Sequence, residues 1–425
     1  MSNDEKKLQI PKQLGNDIRK FFMFLAIESR TKAKQPYKYI SEARMSSTDS
    51  VAYMNEEQYT KYQGFITKLH ALYPHSKNYD RRYAESKFRE AMFQATKFSG
   101  DPNVNAKDAF KITIEAFQHT LCDWRVYIPV SGLALYKKTS WSFGKVFFCS
   151  KANRTFKLDA GELFMSSDNV TIHTVSRYYA RLDVEAVDVS AATNLAIQEV
   201  EKHVNVLNAL GRLYGAIKPK DPHNMYGDKG VVINDWTIHC TITPRTSGLR
   251  LGRSVALGGF NPTMLKAPFL RTHYKWRWIS KQLKNPTSTL FEERILPALK
   301  WIGKSALRTS NEEIFLDYSL AVEAMYFETK HSGELTKELQ LRIYKLLFTN
   351  TSYLSSAIES YNKFEYISDL RSRIVHRGGV EVSENDIQLM YDLARASLQK
   401  IIYYPRFRQR TSKRFESWLM SGRKK

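Results

Sequence analysis

Cysteine is nearly missing from this chain. The three that occur, Cys122, Cys149 and Cys240, are far apart and form no CxxC or CxxxC pair. That spacing argues against a structural zinc site and implies no disulfide framework. His239 and Cys240 are adjacent, but neighbours on a strand face opposite ways, so they make a poor metal pair. Long apolar runs are missing too. The longest early one, "FFMFLAI" at 21–27, falls well short of the roughly 20 residues that a spanning helix needs. Acidic and polar residues precede it, unlike the layout of a secretory signal. No membrane segment and a reducing, cytoplasmic setting are the expectations. The chain also lacks HExxH, paired catalytic carboxylates and a phosphate loop. "GLRLGRSVALGG" at 248–259 has glycines without the Lys-Ser/Thr of such a loop. Neither a metal nor a cofactor is implied.

Acid is scarce relative to base. Lys and Arg number 65 against 43 Asp and Glu, a net charge of +22. Such an excess favours a polyanionic partner through counterion release, although it also serves solubility alone. The distribution favours the partner. From Trp236 to Phe291 there is no Asp or Glu, while Arg245, Arg250, Arg253, Lys266, Arg271, Lys275, Arg277, Lys281 and Lys284 all fall there. Beyond Pro405 the chain is again basic, with Glu416 its only acid. Within "THYKWRWISK" at 272–281, Trp276 and Trp278 alternate with Lys275 and Arg277. Alternation of that kind suits a half-buried strand, with aromatics available to stack on bases and cations to hold phosphates. The competing reading places the tryptophans in the core.

At 425 residues the chain exceeds one small domain. Residues 1–124 read as mainly helical. Residues 125–284 read as β-rich or α+β, with runs such as "WRVYIPVSGLALY", "WSFGKVFFCS", "NVTIHTVS" and "YARLDVEAVDVS" flanking turn residues. Within them "AATNLAIQEVEKHVNVLNALGRLYG" reads as a long helix with Gly215 as its cap. Residues 285–425 read as a helical bundle with a basic tail. Five helices are expected there, over "TLFEERILPALKWIGKSAL", "NEEIFLDYSLAVEAMYFETK", "ELTKELQLRIYKLLF", "LSSAIESYNKFEYISDLRSRIVH" and "ENDIQLMYDLARASLQKIIYY". Asn311 is the expected cap of the second of these, and Ser383 with Asp386 approximates a capping box. The fold class is therefore α+β, ending in an all-α bundle.

The end of the fourth of these helices, "SDLRSRIVHRGG" at 368–379, concentrates chemistry. Ile367, Leu370 and Ile374 form its apolar stripe. Arg371 and His376 flank that stripe on opposite sides and do not meet on one straight helix. They converge if the helix unwinds at Gly378 and Gly379, or if two copies pack about a two-fold axis. In the plainer alternative Arg373 pairs with Asp369 and His376 merely caps the helix end. Glu323 sits in an apolar helix, where it needs a partner such as Arg342 or Arg371.

"SDLRSRIVHRGG", with "FLDYSLAVEAMYF" and "ELTKELQLRIYKLL" upstream, resembles the HEPN domain family and most of all its Apea-like branch. "RILPALKWIGKSA" resembles the segment leading into that domain, and "VYIPVSGLAL" with "FGKVFF" the β-rich region often placed ahead of it. The resemblance covers roughly residues 125–405 and leaves 1–124 aside. It implies a metal-independent ribonuclease, homodimeric through the bundle, of the toxin or antiviral abortive-infection type with a possible phage-derived trigger. It places Arg371 and His376 in the catalytic positions, Ser372 in the polar position after the Arg, and Glu323 and Asp369 in support. Arg377 departs from the usual Gly after the His and adds charge beside Lys275 and Arg277 as RNA contacts. The chemistry suits those residue types. RNA carries its own 2′-OH nucleophile, an imidazole exchanges protons near neutrality, and a guanidinium fits a phosphorane-like charge. Two other readings stay open: a non-catalytic RNA-binding or dimerisation module, and a regulatory partner in a phage-sensing system.

Overall fold

The computed structural model describes residues 10–32, 56–72, 81–96, 101–115, 121–135, 140–150, 152–157, 178–213, 232–233, 237–241, 247–250, 265–266, 274–327, 335–347, 354–404, 407 and 411–421. It is mixed α and β, with helices at both ends and a small antiparallel sheet in the middle. Two compact units result. One comprises Met1–Arg125, Asp183–Leu195 and His239–Thr246; the other comprises Val126–Leu182, Ala196–Ile238 and Ser247–Lys425. The β-rich region and the C-terminal helices thus share a unit. Among the described residues no helix is long and apolar enough to cross a membrane.

The first unit is built on α1 (Lys12–Lys32), α2 (Glu56–Leu72), α3 (Arg81–Ala95) and α4 (Pro102–Glu115). The "FFMFLAI" run lies in α1. Ile18, Phe22 and Leu25, spaced at four and three, are buried, whereas Phe24 and Ile27 are exposed. Aromatic rings hold the helices together: Phe88 of α3 lies 5.2 Å from Phe22 and 5.1 Å from Tyr62 of α2. Asp101 starts α4 by accepting from the Asn103 amide at 3.0 Å, with Pro102 next in line.

The expected strands form where the residues suit them. β1 (Cys122–Ser131) is followed by β2 (Leu133–Ala134), β3 (Ser140–Phe143), β4 (Val146–Ser150) and β5 (Tyr178–Ala186). Later come β6 (Val232–Ile233), β7 (Thr237–Thr241), β8 (Ser247–Arg250) and β9 (Leu265–Lys266). The larger sheet runs β3-β4-β5-β1-β7-β8, and β6 also pairs with β1; β2 and β9 form a separate parallel pair. "NVTIHTVS" and Gly215 lie outside the described residues. The long helix is α5 (Val189–Leu213), and Asp188 caps it by accepting from the Ser190 and Ala191 amides at 2.7 and 3.0 Å.

A histidine on α5 locks the β3–β4 turn. His203 is fully buried, and its Nδ1 lies 2.7 Å from the Glu199 carbonyl oxygen. Its Nε2 accepts from the Lys145 amide at 3.2 Å. Nδ1 therefore carries the proton. Gly144 adopts φ 61°, and a Cβ there would come within 2.3 Å of His203 Nε2, so the turn needs glycine twice over. Burial lowers the imidazole's pKa to about 4.

The stretch "YKWRWISKQLK" is not a strand. Residues Tyr274–Lys284 form helix α6, because the sequence's apparent alternation is also a helical pattern: Lys275, Ile279, Gln282 and Leu283 are buried together. The single helix expected over "TLFEERILPALKWIGKSAL" begins with a π turn, Phe291–Ile295, before α7 (Leu296–Ser305). Pro297 explains the irregularity, since it offers no N–H to the preceding turn. Then follow α8 (Asn311–Tyr326), α9 (Leu335–Leu347), α10 (Leu354–Arg377) and α11 (Glu384–Tyr403). Ser310, not Asn311, caps α8: it has extended backbone and accepts from the Glu313 amide at 3.4 Å. Asn311 instead donates to the Val382 carbonyl at 3.1 Å. The capping box of α11 is complete. The α5 end joins these helices, Tyr391 donating to the Arg212 carbonyl at 2.8 Å.

Part of the basic tail is a docked helix, α12 (Ser412–Met420). Its one acid holds it. Glu416 receives Arg294 at 2.7 Å on one oxygen and Arg342 at 2.6 Å on the other. Both arginines are buried, at 0% and 2% exposure, so this carboxylate neutralises charge that water cannot reach. Arg342 also meets Glu338 at 2.6 Å, and Phe407 packs 4.9 Å from Trp418 above the clamp.

Glu416→Ala leaves two buried guanidiniums short of a counter-charge. The expected loss is about 3–5 kcal/mol of unfolding free energy, measured by urea melts; a loss within about 0.5 kcal/mol, ordinary for a surface site, would refute the clamp. The second expectation concerns acid. His203 is depressed when folded, so its contribution is complete above about pH 6.5 and disappears as pH falls toward about 4. Stability should drop by about 3 kcal/mol across that window. His203→Gln should be less stable at neutral pH yet flatten this slope; an unchanged slope in chemical melts at stepped pH refutes it.

Candidate functional site

α10 buries the stripe expected of it. Ile367, Leu370 and Ile374 are buried, with exposures of 5%, 1% and 8%. The helix stays regular through Arg377. The Gly378 amide donates to the Ile374 carbonyl at 3.1 Å, and Gly378 and Gly379 then turn left-handed at φ 62° and 58°. Nothing unwinds ahead of them. Arg371 and His376 consequently stay about 140° apart around the axis. Arg371 faces inward between helices, while Ser372, His376 and Arg377 are exposed.

Arg371 is held by Glu323 of α8. Its Nε sits 2.8 Å from Oε1, and its Nη2 donates to Oε2 at 2.9 Å. Of the two partners the sequence offered Glu323, the helix packing selects Arg371, because Arg342 is engaged by Glu338 and Glu416. The carboxylate is half-buried, and that burial raises its pKa, with the Arg371 charge pulling it back. One hydrogen bond, Nη2 to Oε2, with Nε held close to Oε1, ties the guanidinium to this carboxylate. Arg373 pairs with Asp369, Nε to Oδ2 at 3.0 Å, on the exposed side, so Asp369 supports Arg373 and not the catalytic candidates.

Beside Arg371 lies a cavity of about 170 Å³ between α8, α9, α10 and α11. Its lining is mixed: Val322, Ile343, Ile367 and Met390 are apolar, while Ser319, Glu323, Ser368, Arg371 and the exposed Ser372 are polar. Gln340 of α9 is also on its wall and escaped the sequence reading, where it looked like one more polar residue of an amphipathic helix. Among the described residues no group of three His, Cys, Asp or Glu side chains is placed to hold a metal ion.

The basic stretch ahead of the bundle is organised differently from expectation. Lys275 is buried, its ammonium 5.5 Å from the centre of the Tyr403 ring, which removes it from any open surface. Trp276 packs 6.0 Å from Trp141, and Trp278 meets Phe291 edge-on at 5.6 Å. Both tryptophans are half-buried and packed on neighbouring rings. Arg277 is exposed, and so are Lys281 and Lys284 at four and seven residues further on. That helical spacing puts the three cations on one open face, which a strand reading could not reveal.

Removing charge at Glu323 should cost more than breaking the outer pair. Glu323→Gln is expected to lower unfolding free energy by about 1–2 kcal/mol, and Arg373→Ala by no more than about 0.5 kcal/mol. Equal losses in urea melts would refute the assignment of Arg371 to the half-buried Glu323 carboxylate. No protein-family model, curated protein or solved structure matches this chain, so the site is read from its own geometry.

Proposed function

We propose that the chain is a metal-independent endoribonuclease of HEPN type, acting as a homodimer whose two α10 helices pool Arg371 and His376. The observation that carries the reading is the holding of Arg371. A guanidinium fixed by Glu323, a third exposed at 34%, stands at the mouth of a cavity, and an exposed imidazole follows in the last turn of the same helix. In this reading His376 exchanges the proton of the attacking 2′-OH or of the departing oxygen, and Arg371 receives the phosphate charge. One copy cannot do this alone, since the two groups point to separate flanks. A second α10 antiparallel across a two-fold axis supplies the missing partner to each. Arg277, Lys281 and Lys284 would carry phosphates of the same RNA. The antiviral, abortive-infection setting and a phage-derived trigger follow from the family resemblance alone.

A second reading has its own observation. Both oxygens of Glu323 already occupy Arg371, which suits a bundle kept for RNA binding or dimerisation without catalysis.

Purified protein incubated with total RNA separates them. Cleavage leaving 2′,3′-cyclic phosphate and 5′-OH ends, undiminished by EDTA and absent on DNA, is the expected result. His376→Ala should reduce the rate by about 100-fold or more while RNA affinity and melting temperature hold. RNA bound but uncut by the wild-type dimer would favour the second reading and refute the first.

A further inference from the structure

Two glycines gather lysines from three elements at one place on the unit that carries the C-terminal helices. A Cβ on Gly144, in the β3–β4 turn, would overlap His203 of α5, and one on Gly303 of α7 would overlap the Asn205 carbonyl of the same helix. Only glycine lets the turn and α7 come that close to α5. Lys145 follows Gly144, and its amide donates to His203 at 3.2 Å. Lys202 precedes His203 on α5, and Lys300 and Lys304 flank Gly303 on α7. Helix α6 adjoins the same turn, because the Gly144 amide donates to Ser280 Oγ at 2.9 Å. Around the α6 axis Lys284, Arg277 and Lys281 lie about 40°, 60° and 100° from Ser280, all in one direction. The cations of α6 therefore continue from Lys145. Lys145, Arg277, Lys281 and Lys284 are exposed, and Lys202, Lys300 and Lys304 are half-buried.

This surface is short of acid. Glu199 is spent on Lys202 at 2.5 Å, and Asp317, which acts on Lys304, is held by Arg308 at 3.1 Å. Glu201 is exposed near Lys300. Among the described residues Lys145, Arg277, Lys281, Lys284 and Lys300 form no ion pair. Burial, and after it the charges of Lys202 and Lys304, lower the Lys300 pKa against the pull of Glu199 and Glu201. Surfaces for single strands set open rings among their cations, on which unpaired bases stack. Here the rings have partners of their own: Trp276 and Trp278 pack on Trp141 and Phe291, and Lys304 covers Trp301 at 4.7 Å.

We propose that this α5–α6–α7 face binds base-paired RNA, held through the phosphates of both strands by Lys145, Arg277, Lys281, Lys284, Lys300 and Lys304. Phosphate contacts fix orientation and carry no sequence information, so the face positions a folded RNA and leaves its sequence unread. RNA as the polyanion rests on the proposed ribonuclease activity. The shortage of counter-charge does not.

The test is fluorescence anisotropy on the full-length His376→Ala protein, which should leave bound RNA uncut. The probes are labelled RNA duplexes of two unrelated sequences, one separated strand, and vesicles containing phosphatidylserine. Both duplexes should bind alike, and about 10-fold more tightly than the strand. Adding Lys145→Gln, Lys281→Gln and Lys300→Gln together should weaken duplex binding by about 10-fold or more and reduce the slope of log affinity against log salt by about 3. The melting temperature should hold, because none of the three is in an ion pair. Glu201→Lys should tighten duplex binding by about 3-fold or more, a gain that damaged folding cannot produce. An unchanged salt slope in the triple variant, a strand bound as tightly as the duplex, a preference between the two sequences, or vesicles bound more tightly than the duplex would each overturn the proposal. So would a protein that binds neither RNA. The underlying activity is separable: cleavage by the wild-type chain, with duplex affinity unchanged by the triple substitution, sinks the surface and leaves the nuclease standing. Lysine-dependent duplex binding by a wild-type chain that cuts no RNA does the reverse.

Discussion

A guanidinium cannot lie inside a helical bundle without a carboxylate beside it, and much of the C-terminal unit is arranged around that requirement. Arg294 and Arg342 are buried almost completely, and one glutamate from the last helix answers both. Desolvating two cations and one anion is costly, so the arrangement is better understood as fixing the place of α12 than as a large net gain in stability. Glu338 brings the charge of the group to balance. Arg371 follows the same rule in an open form. Its carboxylate is deeper than it is, with side-chain exposures of 22% and 34%, so the pair is anchored at one end and accessible at the other. Closed pairs of this kind hold helices in register, whereas an open one can present a charge.

Periodicity revealed most of the helices and strands because burial selects side chains at regular spacing. Ile367, Leu370 and Ile374 in α10 are read correctly for that reason. The strands around Gly144 were legible from aromatic runs on both sides of a turn residue. The misreadings have specific causes. In "YKWRWISK" two tryptophans separated by one cation imitate a strand over five residues, and only the longer spacing of Lys275, Ile279 and Leu283 shows a helix. Ser310 precedes Asn311, two good caps in succession, and backbone conformation decides between them. The helix at Ser412–Met420 was hidden by its charge, which reads as a solvated tail until a buried partner for Glu416 is known.

The site was legible where it depended on one helix and obscure where it depended on several. The Asp369–Arg373 pair and the left-handed stop at Gly378 follow from local spacing. That Glu323 needs an arginine also follows, because a carboxylate in an apolar helix is otherwise too costly. Which arginine it meets is a matter of helix packing, and no spacing within "ELTKELQLRIYKLL" or "SDLRSRIVHRGG" decides it. The cavity is less legible still. Its walls come from four helices, and Gln340 has nothing in its neighbours to mark it.

The regularity of α10 bears directly on the proposed chemistry. Were the helix to unwind before His376, one chain could assemble the whole site and would be active wherever it was made. It does not: the Ile374 carbonyl still accepts from the Gly378 amide. Five residues of unbroken helix turn Arg371 and His376 more than a third of a turn apart, so they leave the helix on different flanks. Under the proposed function, activity then depends on association of two copies. Anything that opposes two copies of this highly cationic chain restrains it, and anything that screens their charge, RNA included, favours the active pair. Under that proposal the net charge of +22 becomes part of the control of the site.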